Sequence, residues 1–206
     1  TMLMNRSIYK LLLFCMVSML SVFVHAASLQ VTYHINDATE TVTSGVSTEG
    51  SLATLLGDNA MKVTQLSVNG YLNDADIITL QQMAGGTTEK GSLKSLNLSE
   101  ATFTTTGKKV PDNIFRDCKN LQQVNLSNMT EIGKGAFENS ALTDISIPAS
   151  VTKICAHAFR YCSALKTLEF VAGTPEKELV LETEAFFGCG NMDLANNGVL
   201  PSRIIS

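Results

Sequence analysis

Cys155, Ala156 and His157 set a thiol and an imidazole two residues apart, the kind of local pair from which a cysteine nucleophile and its base could be built. Asp144 and Glu169 offer a second chemistry, because two carboxylates on one rigid face could divide the acid and base roles of polymer hydrolysis. Neither reading gains support from the surrounding residues. There is no Cys-x-x-Cys, no His-x-x-x-His, no phosphate-binding glycine loop and no Gly-x-Ser-x-Gly. Asp144 and Glu169 have no visible partner for proton transfer. The chain is therefore read as non-enzymatic, with no catalytic residue, no metal ligands and no cofactor.

Cys155 and His157 have a better explanation in the periodicity around them. Phe115 to Cys118, Phe137 to Ser140, Phe159 to Cys162 and Phe186 to Cys189 repeat one phrase, with the phenylalanines 22, 22 and 27 residues apart. A fixed period in this range marks stacked structural repeats. In that frame Cys155 and His157 fall where Gly133 and Gly135 stand one repeat earlier.

A second phrase follows each of these aromatic ones. Leu93, Leu96 and Leu98 are echoed by Leu121, Val124 and Leu126, by Leu142, Ile145 and Ile147, and by Leu165, Leu168 and Phe170. The last two apolar residues of each set flank a polar one, the alternation of a strand with one buried face. Pro148 then removes a backbone donor and ends the strand, and Val151 and Ile154 return the chain to the core. One coil reads as strand, proline turn, short extended piece and helical turn. No coil can bury its own leucines, so stability must come from stacking.

The run from Ile132, Gly133, Ala136 and Phe137 through Leu142, Ile145, Ile147, Pro148, Val151 and Ile154 to Ala158, Phe159 and Cys162 resembles the leucine-rich repeat of the BspA type. The resemblance is strong over about residues 110–191 and weaker back to Leu66. It implies an α/β leucine-rich repeat solenoid, on the pattern of secreted and surface-attached bacterial proteins that adhere to matrix or receptor proteins. Three departures stand out: Ser140 in a cysteine place, Cys155 in a glycine place, and an insertion near Gly173 to Glu178, expected as a surface loop.

The ends divide the chain further. Arg6 and Lys10 precede an apolar run from Leu11 to Val24, and Val24 and Ala26 suit signal cleavage, so residues 1–26 are expected to be a signal peptide. The run is too short for a membrane span, which needs about 20 residues. Phe14 before Cys15 is too bulky for a lipoprotein signal. Residues 27–91 read as an N-terminal cap. It begins with a strand at Leu29, Val31, Tyr33 and Ile35 and a return strand from Thr39 to Val46. A short helix from Ser51 stopped by Gly57 follows, then a strand from Val63 to Val68 and a helix over 74–84, with Asn73 and Asp76 at its start and Gly85 and Gly86 at its end. Residues 92–206 read as the repeats, with the last coil incomplete after Met192 to Leu194 and Leu200-Pro201.

Charge narrows the partners. The formal charge of −4 becomes −6 once Arg6 and Lys10 leave with the signal segment. An acidic chain without a basic cluster argues against nucleic acid and against anionic membrane surfaces, and no membrane insertion is expected after cleavage. Cys162 and Cys189 lie in adjacent coils at about 5 Å, within bridging reach. Ser140 shows that any small side chain fills that place, so the cysteines are read as free thiols. Asn97, Asn125 and Asn128 match the glycosylation sequon, which is read as coincidence.

What remains is the outward face of the strands. Ser95, Asn97, Gln123, Asn125, Asp144, Ser146, Thr167 and Glu169 would align as two polar ladders on one sheet, a pre-formed platform for an extracellular or surface protein. The expected function is an exported protein that recognises host or neighbouring-cell proteins. The alternative is a structural module or spacer of a surface assembly, self-associating through its C-terminal coil.

Overall fold

The computed structural model describes residues 29–35, 38–44, 51–86, 91–173, 177–190, 193–194 and 204–205. The expected signal segment, the centre of the insertion at 174–176 and the Leu200-Pro201 phrase lie outside the described residues.

The alternating apolar residues at the start form β1, Leu29–Ile35, with Leu29, Val31 and Tyr33 buried. It pairs antiparallel with β2, Ala38–Ser44, and with β3, Gln65–Leu72. Between these strands α1, Ser51–Leu56, ends at Gly57 as expected. Gly57 turns with φ +50 and the chain runs on as a 3₁₀ helix over Gly57–Lys62.

The second helix, α2, spans Asp74–Met83, one residue short of the expected 74–84. Asn73 Oδ1 accepts from the Ala75 and Asp76 amides at 3.0 and 3.1 Å, and Asp76 Oδ2 accepts from the Asn73 amide at 3.1 Å. The sequence predicts this reciprocal cap. The structure adds that the fully buried Asp76 carboxylate also accepts from the Leu52 amide at 2.8 Å. One buried anion thus satisfies amides at the starts of two helices, which is what makes its burial tolerable.

From β3 the chain winds into parallel strands. β4, Ser95–Phe103, lies parallel to β3 and to β6, Gln123–Asn125, giving a sheet in the order β2-β1-β3-β4-β6. β8, Asp144–Ile147, ends at Pro148 as expected and pairs parallel with β10, Thr167–Phe170, which pairs with β12, Asp193–Leu194. A third sheet is built from the short extended pieces: β5, Lys109–Val110; β7, Glu131–Ile132; β9, Lys153–Ile154; β11, Leu179–Leu181; and β13, Ile204–Ile205, all parallel.

The aromatic phrases are not helical turns, and this corrects the sequence reading. Phe115, Phe137 and Phe159 donate their amides to Ala136, Ala158 and Ala185 of the next coil at 2.7, 2.7 and 2.8 Å. Alternate residues close tight turns within their own coil, such as Ala136 to Gly133 at 3.2 Å and Ser140 to Phe137 at 3.1 Å. In a continuing helix each amide beyond the first turn would bond the carbonyl four residues back in its own coil. Here the continuation is broken at two left-handed residues per coil: Asn113 and Asp117, Gly135 and Asn139, His157 and Tyr161, Glu184 and Gly188. Half of the amides are thereby turned outward to lock coil to coil.

Inside, the phenylalanines form one column. Phe115 and Phe137 stack at 5.5 Å between centroids, Phe137 and Phe159 at 5.2 Å, and Phe159 and Phe186 at 5.0 Å, the last pair within 3° of parallel. The leucines and isoleucines of the strands join them in a single buried core. The architecture is an α/β repeat fold.

Candidate binding face

The strand alternation that buries Leu96, Val124, Ile145 and Leu168 turns their neighbours outward. Register then fixes which of these meet. Ser95 pairs with Gln123 and Asn97 with Asn125, while Asp144 pairs with Thr167 and Ser146 with Glu169. All eight expected residues line one shallow groove of about 440 Å³, whose floor includes Leu96, Val124 and Ile145.

The ladders do not run across one sheet, contrary to the sequence reading. β6 is the last strand of one sheet and β8 the outermost of another. They are joined by the Thr143 amide on the Gln122 carbonyl at 3.0 Å, just before the two strands begin. The cause is local. Asn125 Oδ1 accepts from the amide and hydroxyl of Ser127 at 3.0 and 2.5 Å, bending the chain out of the strand after three residues. β8 has no such turn and runs on to Ile147.

The seam opens a second hollow of about 420 Å³, which shares Val124, Asn125 and Ser146 with the groove and continues over Leu126, Pro148, Ala149 and Val171. Sequence reasoning missed it, although a signal existed: Leu126 to Ile132 is six residues and the equivalent Ile147 to Ile154 is seven. Also missed was an exposed pair on the turn face, Tyr161 against Phe187 at 5.8 Å, with the Arg160 guanidinium 4.6 Å from the tyrosine ring centre.

The groove carboxylates accept from hydroxyls. Thr143 Oγ1 donates to Asp144 at 2.7 Å and Ser146 Oγ donates to Glu169 at 2.8 Å. The Cys155 and His157 side chains go to different partners. Cys155 Sγ donates to Glu131 Oε1 at 3.2 Å, and His157 Nε2 lies 3.4 Å from Glu184 Oε2. Burial, and then the bond to Glu131, pushes the Cys155 thiol up to about 12, the reverse of what a nucleophile requires. Burial also lifts the Cys118 thiol to about 12, with the Asp117 charge adding to it.

All four cysteines of the described residues are free thiols. Cys162 and Cys189 each donate to the carbonyl of the phenylalanine one coil back, Phe137 and Phe159, at 3.0 Å. A thiol at about 12 in place of 9 carries about 1000-fold less thiolate at pH 8. Iodoacetamide at that pH should therefore label Cys118 and Cys155 of the folded protein at least about a hundredfold more slowly than after unfolding in urea, followed by mass spectrometry of the peptides. Equal rates in the two states would show that these thiols are not buried.

Among the described residues no group of three His, Cys, Asp or Glu side chains converges as a metal site requires, and no helix is long and apolar enough to cross a membrane. β12 and β13 are the outermost strands of their sheets, and Ile204 is half-buried.

Coils tied by parallel strands, by interlocked turns and by a phenylalanine column define a repeat protein with an open polar sheet face. Residues 87–198 match the BspA type leucine rich repeat region in six copies, over more than half of the chain, and the protein belongs to that family. Repeats of this family are typically non-enzymatic binding modules and often mediate surface protein interactions. No curated protein matches the chain.

Proposed function

We propose that the protein is an exported, non-enzymatic solenoid that binds host or neighbouring-cell proteins through the outward face of β4, β6, β8 and β10. One observation carries the reading: eight outward side chains from four strands, spread over 75 positions of sequence, converge on a single groove. Such a face is rigid before binding, so little ordering entropy opposes association. The phenylalanine column and the parallel register of the repeat strands in all three sheets support continuous stacking of the coils. Export rests on the charged, apolar and small-residue order of residues 1–26.

The test fills the groove without altering its charge. Gln123→Trp combined with Thr167→Trp places two indoles on outward strand positions and leaves the core untouched. Binding to extracellular matrix proteins, measured by surface plasmon resonance, should weaken at least about tenfold, equivalent to about 1.4 kcal/mol. The thermal midpoint should stay within a few degrees of the parent. Unchanged affinity for every matrix protein that the parent binds would overturn the assignment.

A further inference from the structure

We infer that the groove selects an extended polypeptide segment carrying a basic side chain beside an aliphatic one; this rests on the sheet face being the binding site. The two parts of that ligand are read from two features of the site.

The first is charge. Asp144 and Glu169 line the groove, and no lysine, arginine or histidine lines it with them. Among the described residues neither carboxylate forms an ion pair, and each is held by a neutral hydroxyl. Acids on the other faces of the same coils are treated differently. Lys109 lies 3.2 Å from Asp112 and 3.1 Å from Glu131, Lys153 lies 2.7 Å from Glu182, and Arg160 lies 3.2 Å from Glu184. Glu138 sits between Arg116 at 3.7 Å and Arg160 at 3.8 Å. The rungs of this fold readily bring a cation to an anion, yet the two groove anions are left without one. Lys94 and Lys166, each exposed one residue before Ser95 and Thr167, do not line the groove and pair with neither acid.

Geometry makes the two anions one target. Asp144 is opposite Thr167 and Ser146 is opposite Glu169, so the carboxylates are diagonal neighbours, one strand apart and two residues along. That is about 5 Å across and about 7 Å along between backbone positions, close enough for both carboxylates to act on one cationic side chain.

The second feature is the hollow at the seam. It adjoins the carboxylates through Asn125 and Ser146, and beyond them Leu126, Pro148, Ala149 and the exposed Val171 give it an apolar strip, with Ser127 and Ser150 beside it. A chain crossing the Asn125–Ser146 boundary would set a cationic side chain on one side and an aliphatic one on the other. Asn125 Oδ1 is taken by Ser127, which leaves its Nδ2 to donate to a ligand carbonyl. No aromatic ring lines either hollow, so the stacking surface that sugar recognition uses is missing there.

The experiment uses fluorescein-labelled ten-residue peptides with a Gly/Ser/Thr background, read by anisotropy against the folded protein. One peptide contains Arg-Gly-Leu, one replaces its arginine by glutamate, and one replaces its leucine by serine. A set of neutral oligosaccharides is tested in parallel. The Arg-Gly-Leu peptide should bind, the glutamate peptide should not, and the serine peptide should bind several-fold more weakly. Binding should fall as sodium chloride rises from about 50 to about 300 mM. The double variant Asp144→Asn with Glu169→Gln, which keeps the shape of the groove, should weaken the Arg-Gly-Leu peptide at least about tenfold.

Failure of that peptide to bind at millimolar concentration, indifference to peptide charge, or binding of the oligosaccharides alone overturns the inference. If the neutralised variant binds like the parent while Gln123→Trp with Thr167→Trp abolishes binding, the basic specificity is wrong and the face survives as the site. If the tryptophan variant also binds like the parent, both readings fall.

Discussion

Replacing Phe159 by alanine is expected to lower the unfolding free energy by about 3–5 kcal/mol. The ring is fully buried and lies between two others, 5.2 Å from Phe137 and 5.0 Å from Phe186, nearly parallel to both. Truncation removes its transfer free energy and two stacking contacts at once. It also leaves a gap that cannot close, because the spacing of the flanking coils is fixed by hydrogen bonds from the Phe137 amide to the Ala158 carbonyl and from the Phe159 amide to the Ala185 carbonyl. Phe186→Ala supplies the internal comparison. That ring is only half-buried and stacks on one described neighbour, so its loss should cost clearly less. Urea unfolding followed by far-ultraviolet circular dichroism suits a chain without tryptophan. A Phe159 cost below about 1 kcal/mol, or a larger cost at Phe186, would mean that the column does not hold the coils together.

The column was legible because a period of 22 residues survives in the sequence whatever the local conformation. What lies beside it was not. The left-handed positions recur four residues apart in every coil, and Gly135 with Asn139 states that requirement openly, since these residues tolerate positive φ. His157 with Tyr161 conceals it, because a ring and a β-carbon stand where glycine or asparagine would be relaxed. Tyr161 fits by lying across Gly188 of the next coil, where an added β-carbon would come within 2.4 Å of the ring. A reading based on apolar spacing therefore took tight interlocked turns for helical ones.

The groove was legible residue by residue and its seam was not. Period two alone assigns all eight outward side chains correctly. The seam depends on Asn125 and Ser127, whose spacing reads in the sequence as a chance sequon. Their bond is structural, and Asn97 repeats it to the Ser99 amide at 3.0 Å. There β4 survives the perturbation, continuing to Phe103 with its register to β3 shifted between Ser67 and Asn69. The same Asn-Leu-Ser chemistry thus yields an irregular long strand in one coil and a strand end in the next. Asp76 gives the complementary case. Its role in capping α2 follows from a three-residue spacing, whereas its bond to Leu52 spans 24 residues and carries no sequence signature.

Gly91→Ala is the second substitution expected to be severe, at about 3 kcal/mol or more. Glycine is required here by proximity, not by its backbone angles. A β-carbon at this position would meet the Met83 carbonyl oxygen at 2.2 Å, the Met83 Cα at 2.4 Å and the Gln82 carbonyl oxygen at 2.5 Å, all backbone atoms at the end of α2. None can swing aside as a side chain would. Relief requires separating the helix end from the first coil, and that joint is dense with bonds. The Leu93 amide donates to the Met83 carbonyl at 3.0 Å, the Asn120 amide to Ala84 at 3.0 Å, and Asn120 Nδ2 to the Gly91 carbonyl at 2.5 Å. Gly107→Ala separates crowding from backbone strain, because Gly107 has φ +66 and open space around it. It should cost only about 1 kcal/mol. If Gly91→Ala proved no worse than Gly107→Ala in urea unfolding, the close seating of the N-terminal segment on the repeats would be disproved.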